Sequence, residues 1–446
     1  MKKNILPKFL PIAAAILLAT SCSKDGDNDA NIVNPNPEPE TIEVPVAEPQ
    51  HYTLDFSLTV SNGASLSKAD ANAPVFPEFQ DEVPYLLTIT ADGTKVADLP
   101  IKTIADNRRS ATFGGELDFG TNAELKAAVE NKTTALVASL NAAKKTEAAS
   151  YTSLYNALSA SYYESDAFDY EAGGVEGITL NSRCAFIEFV VADGQKKVNI
   201  DDAWYPEVGE ISDNYVCVAI PVSGTKSVKT RFRKSAKTVS PNTIYTITCT
   251  DVVDLGQTVE EKIILWATCN LGATSPEQYG NYYAWGEIAT KTEYTVENYT
   301  ASELTTDLDN AHDAAYNYEY ESGKKLGDKG YRMPTKDELS SLVSIGAWSN
   351  ATDNPYSTAG YLVDNDYGTI FLPAAGFRNG TNLNNDGSYG YYWSSSVYNS
   401  DNASRFGFDS GSAGINNYDR CRGRSVRPVR SINSYNSGEG QSGVED

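Results

Sequence analysis

The sequence predicts a mainly β chain with an α+β C-terminal domain, and three observations carry this. Apolar and polar residues alternate through the first 250 or so positions, as at Tyr52, Leu54, Phe56, Leu58 and Val60, which is the period of a strand with one face in a core. Gly and Pro clusters punctuate these runs, the pattern of many short strands joined by turns. The composition then shifts near residue 255 to a segment dense in aromatics and glycine that contains a well-signalled short helix. A length of 446 residues sets a prior of about three domains, and 41% hydrophobic residues is enough to build packed cores.

The first 21 residues read as a signal peptide. Met1-Lys2-Lys3 is basic, and the apolar run from Ile12 to Thr20 is too short to span a bilayer. The run ends in Ala19-Thr20-Ser21-Cys22, which is similar to a bacterial lipobox. That resemblance implies cleavage before Cys22, acylation of Cys22, attachment to the membrane through the N-terminal lipid, and a surface-exposed place on the cell outer membrane. The acids of Ser23-Lys24-Asp25-Gly26-Asp27-Asn28-Asp29 resemble the export signal of Bacteroidetes surface lipoproteins. As a calcium loop this run lacks the Gly and the distal Glu at the required spacing. Residues 22–47 form an acidic, Pro-rich linker: Pro35, Pro37, Pro39 and Pro45, with Pro49 just beyond, alternate with glutamates, which makes a stiff, self-repelling tether. The formal charge of −23 becomes −26 when the signal leaves with Lys2, Lys3 and Lys8. So acidic a chain repels phosphate backbones, which argues against nucleic acid as a partner.

Two β domains are expected next, over 48–143 and 144–252. Tyr85, Leu87 and Ile89 repeat the alternation of the opening strand, and Thr133 to Leu140 reads as a further strand. Tyr151, Leu154, Tyr155 and Leu158 recur at helical spacing between Ala148 and Ser159. Strands follow at Ala185–Val191, at Val216–Val222 and at Thr243–Cys249. With so little helix the pattern is that of β-sandwiches. Five cysteines lie beyond Cys22, an odd number, and none forms a CxxC. Cys184, Cys217 and Cys249 sit in apolar strand patterns and read as buried free thiols.

The opening strand His51–Val60, the "TALVASLN" strand followed by a helix, and the closing "SPNTIYTITC" resemble the fimbrillin-like proteins of Bacteroidetes. The resemblance implies fimbrillin-like β-sandwich domains and other pilin subunits as partners. Pilus-forming members exchange a strand after cleavage at a basic residue. Arg108-Arg109 is the candidate pair here, and an ordinary loop is the simpler reading of it.

The segment 255–431 carries the most specific motifs. They are "WATCNLGA" (266–273), "YGNYYAWGE" (279–287), "YRMPTKDEL" (331–339), "FLPAAGFRNG" (371–380), "GYYWSSS" (390–396) and "GRSVRPVR" (423–430). In the third, Pro334 resists helix, Thr335 caps, Glu338 reaches back, and Leu339, Leu342 and Val343 supply the buried stripe. In this order the motifs resemble the Fibrobacter succinogenes major paralogous domain, and the Arg-x-Pro-Thr-x-x-Glu turn is similar to the formylglycine-generating enzyme superfamily. The resemblance implies a C-type-lectin-like domain. That enzyme works through a cysteine pair, whereas this segment offers only Cys269 and Cys421, and the EPN, QPD and WND signatures of calcium-dependent lectins are absent. No enzymatic activity, metal or cofactor is expected. The final 432–446 read as a flexible tail, and its GxGxxG (438–443) has no helix to open.

Within 388–419, Asn, Tyr, Ser and Asp fill 20 of 32 positions, interleaved with Trp393, Phe406 and Phe408. A folded frame displaying polar loops explains this better than disorder does, because binding loops use Tyr for area and Ser and Asn for adaptable hydrogen bonds. The candidate ligand-binding residues are Tyr389, Tyr391, Tyr392, Tyr398, Asn399, Ser400, Asp401, Asn402, Ser404, Asn416, Asn417, Tyr418, Asp419, Arg422 and Arg424. The mixture resembles the variable region of diversity-generating retroelement targets, in which Asn codons drift to Tyr, Ser, Asp, Cys and Arg; Cys421 would then be one sampled letter. The expected function is that of a cell-surface adhesin, a pilus-tip subunit in the fimbrillin-like reading, whose ligand is a surface protein or glycan. The alternatives are a glycan-capture lipoprotein of a nutrient-uptake system and a glycan-active enzyme.

Overall fold

The computed structural model describes residues 50–62, 67–68, 79–140, 146–233 and 236–433. Cys22, the signal peptide, the linker up to residue 47 and most of the tail lie outside the described residues. Strands dominate throughout, so the chain is mainly β.

Seven strands of the N-terminal region close on themselves. Their order is Thr53–Asn62, Ser110–Asp118, Thr94–Ile104, Leu86–Ala91, Leu136–Leu140, Tyr163–Ser165 and Val175–Ser182, and the last returns to pair with the first. Every pair is antiparallel except that closing one, which is parallel. Phe56, Leu58, Leu87, Ile89, Phe113 and Leu136 fill the interior from alternate positions. The expected boundary between 143 and 144 therefore falls inside this barrel, which runs on to Ser182. The parallel closure is a long-range pairing that alternation within a single strand does not reveal. The strand expected from Thr133 begins at Leu136. The helix expected from Ala148 is a short strand, Ala149–Tyr151, followed by a helix over Leu154–Ser159.

The middle region is a five-stranded sheet in the order Ser67–Lys68, Thr243–Cys249, Cys184–Val191, Tyr215–Pro221 and Ala149–Tyr151. Its strand 184–191 is buried on both faces. Ile187, Phe189 and Val191 pack on one side with Val216 and Val218, while Cys184 and Phe186 pack on the other with Cys217, Ile244 and Leu158 of the helix. Cys184, Cys217 and Cys249 are buried and form no disulfide, in keeping with their apolar surroundings. Burial pushes the Cys249 thiol up to about 12 and also raises that of Cys217, so these two stay neutral hydrophobes.

The C-terminal domain opens with strands Val252–Val259 and Lys262–Ala267. Its last strand, Val429–Asn433, returns to pair antiparallel with Lys262–Ala267, so the two ends of the domain meet in one sheet. Val252 and Asn433 thus widen the expected limits of 255 and 431. Helix Lys336–Val343 starts as the motif predicts. The Glu338 amide donates to Thr335 Oγ1 at 3.2 Å and the Thr335 amide to Glu338 Oε2 at 2.8 Å. Arg332 locks the same carboxylate in a two-pronged grip of 2.7 and 2.5 Å. Thr335→Ala is expected to cost about 1 kcal/mol, the usual value of a lost cap, read as a lower urea midpoint at unchanged slope.

The middle sheet and the C-terminal domain are joined by directed bonds. Gln195 donates to the carbonyls of Asp254 and Tyr367 at 3.2 and 3.1 Å and accepts from the Asp254 amide at 2.8 Å. Trp204 and Tyr367 lie ring to ring at 4.3 Å. The C-terminal domain is therefore fixed to the middle region by directed contacts.

Candidate functional site

The segment that holds the candidate residues folds into a three-stranded antiparallel sheet, Gly390–Val397, Asn402–Phe408 and Ala413–Asp419. Strand geometry sends neighbouring side chains to opposite faces, and this divides the expected site. On one face Tyr392, Phe406 and Phe408 join the core that includes Leu339 and Leu342 of the helix. On the other, Tyr391, Arg405, Asn416 and Tyr418 line up, with Trp393 and Ala403 sealing one end against Trp285 and Val426.

Three expected contact residues are corrected by this arrangement. Tyr392 is fully buried; its hydroxyl donates to the Pro373 carbonyl at 2.7 Å and accepts from Asn270 Nδ2 at 3.1 Å. Ser404 is buried and bonds to Asn417 Oδ1 at 3.0 Å. Arg424 is 2% exposed, its guanidinium 4.2 Å from the Trp393 ring centre. None of the three presents its side chain to a partner. Tyr392 follows Tyr391 by one residue and must face inward if Tyr391 faces out, while Ser404 sits on a central strand flanked on both sides. Arg424 lies on the crossing segment whose backbone pairs with Tyr283, enclosed between the Trp393 and Tyr418 rings.

The remaining candidates lie at the surface or at its margin. Tyr398, Asn399, Ser400 and Asp401 form the turn between the first two strands and are exposed, with Asn402 half-buried at its end. Asn399 Oδ1 accepts from the amides of Asp401 and Asn402 at 3.0 and 2.8 Å, which fixes the turn from within. Asn416, Asn417, Tyr418 and Asp419 are exposed on the edge strand. Arg422 pairs with Asp419 at 3.2 Å and donates to Asn379. Tyr389 and half-buried Tyr391 stack at 5.8 Å with planes 16° apart. The displayed surface is thus a sheet face and edge with one tight turn, where the sequence pattern had implied loops.

Several residues that build the site carry no signal in the local pattern. Arg420, 1% exposed, is stacked on Trp285 at 4.5 Å and holds the turn by its backbone. It donates to the carbonyls of Asn399, Asn402 and Leu304. Arg405 sits between two of the displayed rings, 4.2 Å from the centre of Tyr391 and 4.6 Å from that of Tyr418. Gly407 makes room for it, since a Cβ there would fall 1.8 Å from Arg405 Nη1. Phe377 packs edge-on against Tyr391 at 5.5 Å. Burial lowers the pKa of Arg405 from its usual value, and burial followed by the Arg405 charge lowers that of Arg424 well below it. Burial likewise raises the Tyr391 hydroxyl. Cys421 is a buried free thiol, raised by burial, and does not face a partner. Among the described residues no three His, Cys, Asp or Glu side chains are arranged to hold a metal ion. The chemistry on offer is stacking, cation–π contact and hydrogen bonding.

One known family matches residues 348–429, a domain of unknown function (DUF8237). The match spans every candidate ligand-binding residue and none of the barrel. No curated protein sequence matches the chain. Among solved structures, a fimbrial protein from Bacteroides ovatus aligns over 85% of this chain and 99% of its own at 9% identity, with a TM-score of 0.22. A proposed cell adhesion protein from Parabacteroides distasonis aligns over 44% of this chain and 88% of its own at 10% identity and a TM-score of 0.25. Another from Bacteroides uniformis aligns over 44% and 93% at 9% identity and a TM-score of 0.24.

Proposed function

We propose that the chain is a surface adhesin whose C-terminal domain binds its ligand non-covalently through the displayed residues of the sheet 390–419. One observation carries this reading. Tyr389, Tyr398 and Tyr418 stand 38%, 61% and 49% exposed among Asn and Asp side chains, on a sheet whose opposite face is core. Large exposed rings gain nothing for folding, whereas as anchors they contribute area at low entropic cost. The buried frame of Trp285, Trp393 and Arg420 holds them in place, so little ordering cost remains to be met on binding. In this proposal Cys22 carries the lipid anchor at the outer membrane, the acidic linker gives reach, and the β regions form a fimbrillin-like stalk at a pilus tip. Diversification, if encoded, is confined to the outward set: Tyr398 to Asp401, Asn416 to Asp419 and Arg422. Changes at Tyr392, Ser404 or Arg424 would disturb packing before they altered recognition.

The test is the triple variant Tyr389→Ala, Tyr398→Ala, Tyr418→Ala of the full chain, coated on beads and assayed for attachment to cell monolayers and a glycan array. Each anchor is worth about 1–2 kcal/mol, so attachment should fall at least tenfold while Tm stays within a few degrees. Undiminished attachment would overturn the site.

A further inference from the structure

We infer that Arg405, beneath Tyr391 and Tyr418 and with the buried charge of Arg424 behind it, binds the carboxylate of an acidic polysaccharide, with the sugar ring laid against the tyrosines. This deepens the recognition-surface reading and rests on it.

The first ground is local charge. Residues 377–430 contain seven arginines and no lysine, against four aspartates and no glutamate, a balance of +3 inside a chain of −23. Most of these arginines have evident structural duties. Arg420 and Arg427 are spent on backbone carbonyls, Arg430 faces Asp251, Arg422 takes Asp419, and Arg378 donates to the Thr381 carbonyl. Arg405 and Arg424 are different. They are 6% and 2% exposed, and the Nε of each is buried with no hydrogen-bond partner; Arg430 Nε is in the same state, but that guanidinium has Asp251 at 3.6 Å. Arg424 donates from Nη1 to the Asp419 carbonyl at 3.2 Å, while the carboxylate of Asp419 is already turned to Arg422. Two like charges are thus held side by side by ring faces, chiefly those of Tyr391, Tyr418 and Trp393.

Burying unpaired cations is costly, and cation–π contact offsets part of that cost. A planar guanidinium is the group best shaped to take a carboxylate by two parallel bonds. The fold supplies the forks and withholds the counter-charge. Tyr418, 49% exposed, covers Arg405 from the surface side. An exposed ring changes rotamer without backbone motion, which opens the approach to the guanidinium.

The surroundings favour a saccharide over an acidic peptide. Tyr389 and Tyr391 are near-parallel, 16° apart, and offer a flat apolar step of the kind a pyranose face covers. Asn416 lies directly across the ladder from Arg405 and on the same face; its amide is within the same strip for hydroxyl groups. The strongly negative remainder of the chain gives no long-range attraction for a polyanion, so recognition is short-ranged and weakens with salt.

The test uses the full chain at low ionic strength with three immobilised polymers: polygalacturonate, carboxyl-reduced polygalacturonate and poly-L-glutamate. Binding is expected to polygalacturonate, at least tenfold weaker to the other two, and reduced at least tenfold by Arg405→Gln. A second variant needs no core change. Asn416→Asp places a carboxylate opposite Arg405, and is expected to raise Tm while weakening polygalacturonate binding. Equal binding to the reduced polymer would remove the carboxylate from recognition, and equal binding to poly-L-glutamate would make the partner an acidic protein. A lower Tm in Asn416→Asp would mean that the pair lacks no counter-charge. Each of these overturns the inference. If no polymer binds yet the triple tyrosine variant loses attachment, the carboxylate inference falls and the recognition surface stands. If the triple variant also attaches normally, both fall.

Discussion

Arg427→Met is expected to be among the most damaging single substitutions in the C-terminal domain, costing about 3–5 kcal/mol. The side chain is fully buried. Its guanidinium donates to Asn270 Oδ1 at 3.0 Å and to the carbonyls of Ala267, Thr268 and Phe371 at 3.1, 3.0 and 2.7 Å. Those acceptors belong to the end of strand 262–267, the loop after it, and strand Thr369–Pro373. One arginine therefore ties two separate sheets, and Asn270 passes the tie on to the Tyr392 hydroxyl. Methionine fills the volume but leaves three carbonyls and an amide oxygen without that donor in a dry interior, and each such group costs about 1–3 kcal/mol. Arg427→Lys keeps a charge and loses the fork, so only partial rescue is expected. Chemical denaturation followed by tryptophan fluorescence would measure both. A loss below about 1 kcal/mol in the methionine variant would show that the network is dispensable.

The arginines also mark where the sequence stopped being legible. Strand positions were readable because alternation is local: Phe56, Leu58 and Val60 occupy the inward positions that their spacing implies. The helix at Lys336 was readable because its cap, its return carboxylate and its apolar stripe lie within eight residues. Barrel closure was not, because Leu58 meets Val175 across more than a hundred residues. In the candidate site, residue type identified the surface but not its facing. Tyr391 and Tyr392 are the same letter, and only register decides that one is displayed and the other is core. "GRSVRPVR" and the Arg422 just before it offered four arginines with one appearance. One lies beneath Tyr418, one joins two sheets, one packs on Tyr331, and Arg422 alone borders the displayed strip. A buried arginine is satisfied by carbonyls and rings from distant segments, and those leave no trace near it in the chain.

Asp254→Ala is expected to cost a similar 3–5 kcal/mol, for a different reason. Asp254 is fully buried, and its carboxylate takes Arg231 at 2.5 and 3.1 Å, Nε to Oδ2 and Nη2 to Oδ1. Arg231 belongs to the middle region and Asp254 to the first strand of the C-terminal domain, so the pair spans the joint between them. Oδ1 also accepts from the Gly256 amide at 2.8 Å. There φ is +75° and a Cβ would strike the Tyr367 ring at 2.3 Å, so glycine is required. Removing the carboxylate strands a buried guanidinium that keeps only the Gln257 carbonyl, at 2.9 Å, and the Trp204 face, at 5.2 Å. Removing both charges together should be far milder, because the desolvation penalty leaves with them. The double variant Arg231→Met, Asp254→Ala is therefore expected to be more stable than Asp254→Ala alone. The single variant should also loosen the joint, read as faster amide exchange at Gln195 and Tyr367 with the displayed tyrosines unaffected. If the double variant is no better than the single one, the cost lies in lost packing and the charge argument fails.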